Sequence, residues 1–388
     1  MRMLVHLAQQ IRIGRITFVF PDGTMRVFGG TEPGPAGVFV VHDDRVARRF
    51  LIGGTLGFCE SYMDGDWSSP DMESLFVMTL LNQDHLEALL RGKAWFRALE
   101  RLRHLRRPND RAGGAARNIA HHYDLGNAFY EKWLDPSMTY SSAVFQDMPA
   151  GDLTAAQRAK YAAIARRMDL RPGHHVLEIG CGWGGFAEFA GGEIGAKVTA
   201  ITISREQHDF ARARMQRSGL SDRVDIRLQD YRDVAGRFDR IASIEMFEAV
   251  GEPYWPAFFA TVRERLKAGG QAALQVITIA DRHFESYRRK ADYIQKYIFP
   301  GGMLPSPTAL HQQSEKAGLQ LKEMAGFGRD YARTLRAWNE RFQEAWPDIQ
   351  PLGFDARFKR MWEQYLIYCA AGFEVGTIDV KQLALARA

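Results

Sequence analysis

The sequence predicts an α/β protein: a doubly wound, parallel sheet preceded by a smaller N-terminal α+β unit. Two observations carry that prediction. From about residue 150 onward, short apolar strand-like runs alternate with helical stretches, the pattern that builds a parallel sheet. A glycine-rich turn, Gly180-x-Gly182-x-x-Gly185, falls between the first of those strands and the next helix. Doubly wound sheets bind their ligands there, at the carboxyl ends of the strands. The length of 388 residues leaves room for two domains, and 46% hydrophobic with 25% charged residues is the balance of a folded chain.

The elements follow in order. RITFVF and MRVFGG read as strands around a Pro21-Asp22-Gly23 turn, and GVFVVHD follows as a third. RVARRFLIGGTLGFCESYMDGDW mixes helix and turn signals, whereas DMESLFVMTLLNQDHLEALL has helical periodicity with Asp71 as its N-cap. Pro108-Asn109-Asp110 and Ala112-Gly113-Gly114-Ala115 have the composition of a linker. The boundaries read as 1–110 for the N-terminal α+β domain, 111–150 for a linker with lid helices, and 151–388 for the sheet domain. Within the last, the helix AAQRAKYAAIARRM precedes the buried strand HHVLEIG, and a helix starts at Gly184. The strand KVTAITIS, the helix REQHDFARARMQRSG and the strands VDIRLQD and FDRIASIEM come next. The helix YWPAFFATVRERLKAGG and the strand QAALQVITI complete the alternation.

Several function classes are excluded at this level. Three widely spaced cysteines, Cys59, Cys181 and Cys369, have no metal-ligand spacing and suit a reducing compartment better than a disulfide frame. The opening MRMLVHLAQQIRIGR lacks a signal peptide's apolar run, and no stretch reaches the roughly 18 apolar residues of a membrane span. The expectation is a cytoplasmic chain without a metal centre. Net charge is only +5, but residues 91–117 gather Arg91, Lys93, Arg97, Arg101, Arg103, Arg106, Arg107, Arg111 and Arg117 against Glu100 and Asp110. Trp95, Phe96, Leu99, Leu102 and Leu105 are interleaved, so the segment reads either as a basic amphipathic helix for an anionic surface or as a solvated inter-domain helix.

The glycine turn, in its strand-loop-helix setting, points to a nucleotide-like ligand. A dinucleotide would want an acidic residue for its ribose about 20 residues on, where this chain has Thr202-Ile203-Ser204. Glu178, two residues before the first glycine, would repel a pyrophosphate but suits a cationic amino-acid group. Asp230, after the third strand, is placed to accept from an adenine amino group. A positively charged, amino-acid-bearing adenosine fits this set, and S-adenosylmethionine is favoured over NAD.

Four segments in order, HHYDLGNAFYEKWLDPSMTYSSAVF, VLEIGCGWGGF, SIEMFEAVG and KYIFPGGMLPS, closely resemble the cyclopropane fatty acid synthase family, and GFCESYMDGDW is similar to text in the synthases' N-terminal domain. The resemblance covers about 118 to 370. It implies a Rossmann-like class I methyltransferase behind a lipid-binding N-terminal domain, with S-adenosylmethionine as cofactor and a cis double bond of a phospholipid acyl chain as acceptor. It also implies that Tyr140 and Ser141 contact the cofactor. The same holds for Leu177, Glu178, Gly180, Gly182 and Gly185, for Thr202, Ile203, Ser204 and Gln207, and for Asp230 with Tyr231. Glu248 matches the family's active-site glutamate, and Tyr331, in GRDYARTL, the tyrosine of the same pocket. An alkene is a weak nucleophile, so such a site must align the reactants and exclude water. The carbocation that follows is stabilised by aromatic faces, for which Tyr140, Phe145, Phe247, Tyr254, Trp255, Tyr297, Phe299 and Tyr331 are available.

Two departures stand out. The synthases hold a bicarbonate ion that removes a proton from the added methyl so that the ring closes. Their Ser-Cys-Ala tripeptide is here Ser141-Ser142-Ala143, which leaves a backbone N–H to donate at Ser142. Their histidine, from a Leu-Leu-His-Thr-Ile run, is replaced by Ile277 when LQVITI is aligned on Thr278; Gln275 takes its part only in a shifted register. Without bicarbonate, a hydride shift and proton loss would give a methylene or methyl-branched chain, or a precursor of a furan-type fatty acid, for a partner reductase or oxidase to process, so cyclopropane and branched products both stay open. The lipid reading also favours docking of 91–117 on an anionic membrane, a peripheral position at the inner membrane surface, a homodimer and no nucleic-acid partner. The competing classes are a methyltransferase for a non-lipid acceptor, a dinucleotide redox enzyme and a lipid-binding protein without turnover.

Overall fold

A computed structural model describes residues 1–86, 125–145, 152–289 and 292–387. They fall into two units. One holds the described residues of Met1–Ala112, Ala291–Ile298 and Gln350–Thr377, the other those of Gly113–Lys290, Phe299–Ile349 and Ile378–Ala388. The basic segment 91–117 lies wholly outside the described residues.

The first unit is built on a four-stranded sheet, with β1 Ile13–Val19, β2 Met25–Gly29, β3 Glu32–Val41 and β4 Trp67–Ser68 in the order β2-β1-β3-β4. The expected Pro21-Asp22-Gly23 turn joins β1 to β2. Gly23 takes φ +81°, and Asp22 Oδ1 accepts from Thr24 N at 2.9 Å. The helix Met72–Leu81 starts where predicted, with Asp71 accepting from Ser74 N. Period-2 alternation turns Ile16, Phe18, Phe39 and Val41 inward, where they meet Trp67, Leu75 and Phe76. The helix Ala356–Val375 closes this core: Ala371 is buried in it and Tyr368 meets Phe76 edge-on at 5.8 Å. Tyr293 Oη donates to Met361 O at 2.6 Å, which anchors the short helix Tyr293–Tyr297 to the same unit. Thus 293–297 and 356–375, read from sequence as parts of 151–388, group with the N-terminal unit. The long helix buries Trp362, Tyr365, Leu366, Ala370 and Phe373, and it needs a partner for that stripe.

The second unit contains a seven-stranded sheet in the order β10-β11-β9-β8-β5-β6-β7. Its strands are β5 His175–Ile179, β6 Lys197–Thr202, β7 Val224–Leu228, β8 Phe238–Ile244, β9 Leu266–Ile279, β10 Leu319–Gly326 and β11 Ile378–Arg387. β7, β6, β5, β8 and β9 pair in parallel, as the alternation predicted. The sheet is not wholly parallel, however: β11 runs antiparallel between β9 and β10. β9 begins at Leu266, earlier than expected, because Lys267-Ala268-Gly269-Gly270 extends the strand instead of ending the helix before it. One core forms on each face. Val176, Val198 and Ala200 pack against the helices Leu153–Arg167 and Arg205–Arg217, while Leu177, Ile201 and Ile241 pack against Phe258 and Val262 of Trp255–Arg265.

Candidate active site

The site opens at the carboxyl end of β5. Gly180 takes φ +82°, a conformation that a side chain resists, and Gly180 and Cys181 both donate to Ile201 O at 3.0 and 2.9 Å, which ties the loop to β6. Gly185 opens the following helix where a Cβ would lie 2.2 Å from Tyr161 Oη. Glu178 is 2% exposed, and its Oε2 has no hydrogen-bond partner among the described residues. Burial pushes its pKa well above the ordinary carboxylate value, with Lys160 and Arg214 pulling the other way.

Around the rim, Ser204 caps the helix Arg205–Arg217 by accepting from Gln207 N, and Thr202 Oγ1 donates to Gln207 Oε1 at 2.8 Å. Ile203 stays 43% exposed beside them, an apolar face open to a flat ring. Asp230 is held by Arg232, which donates through Nε at 2.9 Å and Nη2 at 2.7 Å and keeps the carboxyl below its ordinary pKa. Tyr231 lies next to it, half-buried against Phe258. Leu177 does not reach the site: its side chain is in the core and its backbone is paired on both sides, to Thr199 and Ile241.

MTYSSAVF runs through this region as irregular backbone pinned from several elements. Ala143 N donates to Thr334 Oγ1 at 3.1 Å and Phe145 N to Asp330 Oδ2 at 3.0 Å, both on the helix Gly328–Glu344. Lys160, fully buried, donates to Ser141 Oγ at 2.6 Å, and Gln157 Nε2 donates to Ser141 O at 2.9 Å. Burial lowers the Lys160 pKa to about 7 against the pull of Glu245, Asp135 and Glu178. Tyr140 is ringed by aromatics, with centroids 5.2 Å from Trp338, 5.4 Å from Tyr130 and 6.3 Å from Phe299; Tyr331 stands edge-on to Trp338 at 6.1 Å. The other aromatics named from sequence lie elsewhere. Phe247 and Trp255 are core, Tyr254 is exposed, Tyr297 bonds Glu60 in the first unit, and Phe145 packs under Arg333.

Beyond Ser141 the chain meets a carboxylate that the sequence reading passed over. Glu245, at the end of β8, accepts at Oε1 from Ser142 N (2.8 Å) and Gln275 Nε2 (2.7 Å), and at Oε2 from Tyr331 Oη (2.6 Å). Ser142 turns its own hydroxyl away, donating to Ala143 O, so its backbone N–H serves the pocket. Glu248, the glutamate singled out from sequence, accepts from Ile277 N instead and leaves Oε2 buried without a partner among the described residues. Burial, with the nearby Glu245, raises Glu248 to about 8. Burial also raises Glu245, while Tyr331, Gln275, Ser142 and Lys160 hold it down. The structure therefore joins Tyr331 and Ser142 through Glu245. Both glutamates lie in SIEMFEAVG, where Glu245 takes a positive φ (+50°) just past β8 and Glu248 sits in the turn Phe247–Ala249; nothing local in the sequence signals it.

Comparison with known proteins bears on the same residues. Positions 111–383 match the family model described as mycolic acid cyclopropane synthetase. The chain belongs to that family. It is 40% identical over 379 residues to the tuberculostearic acid methyltransferase UfaA1 of Mycobacterium tuberculosis, covering 96% of this chain and 88% of that one. It is 39% identical over 359 residues to the cyclopropane-fatty-acyl-phospholipid synthase of Escherichia coli K12, covering 91% and 88%. The crystal structure of the mycolic acid cyclopropane synthase CmaA1 complexed with SAH and CTAB superposes with a TM-score of 0.66 at 29% identity, over 72% of this chain and 100% of that one. Like its relatives, this family member is an S-adenosylmethionine-dependent methyltransferase of lipid acyl chains. Its fold is the class I methyltransferase sheet with a smaller N-terminal domain. Among the described residues no helix is long and apolar enough to cross a membrane.

The residues present fit the cofactor. Glu178 offers a buried, unpartnered carboxyl oxygen for its ammonium, and Ile203 offers a face for its adenine. They do not fit a bicarbonate ion. Glu245 already fills the donor set of Ser142 N, Gln275 and Tyr331, and the N–H of Ile277 is taken by Glu248.

Proposed function

We propose that this enzyme methylates a cis double bond in phospholipid acyl chains and releases a methylene-branched chain, which a partner reductase saturates, rather than a cyclopropane. S-adenosylmethionine, when bound, supplies the electrophilic methyl group. Glu178 anchors the amino-acid end, with Tyr140 and Ser141 covering the cofactor and Gly180, Gly182 and Gly185 letting it approach the backbone. Thr202, Ile203, Ser204, Gln207, Asp230 and Tyr231 form the rim for its ribose and adenine. Tyr140, Trp338, Phe299 and Tyr331 surround the cation and keep water from it.

The observation that carries the product is the filled oxyanion pocket. Methylation of one alkene carbon leaves a secondary cation on the other, next to a C–H bond. Migration of that hydride is downhill, because it gives a tertiary cation at the methylated carbon. Ring closure requires the methyl proton to leave first. A carboxylate that already accepts three hydrogen bonds is a weakened base, so the shift comes first and loss of the methyl proton then gives a methylene. Glu248, protonated near neutral pH, adds no second nucleophile to trap the cation.

The test incubates the enzyme with labelled S-adenosylmethionine and monounsaturated phospholipid vesicles and reads the lipid by NMR. Vinylidene protons are expected; upfield ring protons would establish cyclopropanation instead. The same reading has 91–117 dock a peripheral homodimer on anionic membrane at about 1 kcal/mol per basic residue. Vesicle flotation should then favour anionic over neutral lipid.

A further inference from the structure

The donors around Glu245 all point the same way, and their direction can be traced to a source. Arg167, at the end of the helix Leu153–Arg167, can only donate, and its Nε meets Gln382 Oε1 at 2.9 Å. That fixes the Gln382 amide, so its Nε2 faces Gln275 Oε1 at 2.9 Å. The Gln275 amide is fixed in turn, with Nε2 on Glu245 Oε1 at 2.7 Å. Gln382 and Gln275 are register partners across β11 and β9, and Gln275 pairs with Ile244 of β8, so the relay crosses the sheet one strand at a time. Ser142 N, which also can only donate, reaches the same Oε1 at 2.8 Å. Two donors on one oxygen leave no place there for a proton, and the Tyr331 hydroxyl supplies a third donor to Oε2. Glu245 is further held by its own N–H on Gln275 O at 2.8 Å, in a left-handed backbone conformation that few non-glycine residues adopt. Donors on both oxygens support the carboxylate against the burial that raises its pKa, in the place where the family resemblance implied a mobile anion.

We propose that Glu245 is the catalytic base of this enzyme, a built-in carboxylate that removes the proton for which the synthases use free bicarbonate. The proposal rests on the reading that a lipid double bond is methylated. In the step, a C–H bond of the transferred methyl breaks and its electron pair forms the exocyclic C=C bond to the cationic carbon. The proton goes to Glu245 Oε2, the oxygen with the single donor, giving the carboxylic acid, and is released to solvent after the product leaves. Charge balances and no oxidant or reductant is consumed. Gln275, Gln382 and Arg167 are positioning residues that present the carboxylate, and Lys160, buried nearby, offsets the cost of its charge.

The experiment compares wild type, Glu245→Gln and Glu245→Gly with labelled S-adenosylmethionine and monounsaturated phospholipid vesicles, in buffer freed of carbon dioxide and with bicarbonate or formate added. Wild type is expected to turn over equally with and without bicarbonate. Glu245→Gln should lose about 10²–10⁴-fold in kcat, with KM for S-adenosylmethionine essentially unchanged, a split that general loss of structure does not produce. Glu245→Gly suits the left-handed backbone and vacates the pocket, so formate or bicarbonate should restore turnover to it. Wild-type kcat in Glu245→Gln, or a wild type that stops without bicarbonate, overturns the proposal while methylation stands. Label absent from lipid even with wild type and bicarbonate removes the methylation reading and this proposal with it.

Discussion

Replacing Glu178 by Gln is expected to move stability and cofactor affinity in opposite directions. In the ligand-free protein the buried Oε2 has no partner among the described residues. An unsatisfied buried polar group costs roughly 1–3 kcal/mol, and the uncharged amide of Glu178→Gln removes the ionic part of that cost. The apo variant should therefore unfold at slightly higher denaturant than wild type. The pH dependence has a definite sign. Burial raises the folded-state pKa of Glu178 above its unfolded value, so its contribution is fully present below the ordinary carboxylate pKa and is lost as pH rises through the folded pKa. Wild type loses stability across that window and the Gln variant lacks this component. In the cofactor complex the charged hydrogen bond to the ammonium is lost, roughly 1.5–3 kcal/mol, which weakens Kd by about 10- to 150-fold. Titration calorimetry with S-adenosylhomocysteine, which keeps the ammonium, reads the affinity; urea melts at several pH values read the stability. Wild-type affinity in Glu178→Gln would refute the assignment of this carboxyl to the cofactor.

Two further outcomes follow from the same region. Gly185→Ala places a methyl 2.2 Å from Tyr161 Oη, whose bond to Thr139 Oγ1 (2.5 Å) holds the covering segment. It should cost about 1–3 kcal/mol and weaken cofactor binding, and an Ala variant as stable as wild type in urea would contradict that packing. Glu248→Gln should flatten the pH profile of apo stability. The wild-type carboxyl, raised from 4.5 to about 8, gives up a few kcal/mol as pH climbs through that range, so melts at pH 6 and pH 8.5 should differ less in the variant.

What could be read from the sequence was what local chemistry decides. Asp71 caps its helix because its oxygen meets a free N–H group of the first turn. The Asp22-Gly23 turn, the alternating strands and the glycine loop rest on short-range preferences of the same kind. β11 was hidden because its place depends on β9, about a hundred residues earlier, and the helix Ala356–Val375 because its partners lie near the start of the chain. The pocket shows the same division. Tyr331 and Ser142 were found by motif, but the residue that unites them was not. Glu245 and Glu248 are three positions apart, a spacing that a helix would place on one face, and a left-handed residue sends them to different partners. Gln382 carries no motif and matters only because β11 sets it beside Gln275.

The position of β11 also bears on the order in which the protein can be completed. Ile378–Arg387 follows every other described strand yet lies inside the sheet, paired on both sides. Until those ten residues leave the ribosome, β9 and β10 each expose an edge that nothing fills, and Gln275 lacks the neighbour that orients it. Much of the nucleotide fold can form early, but the N-terminal core waits for the helix Ala356–Val375 and the relay that orients Gln275 waits for β11.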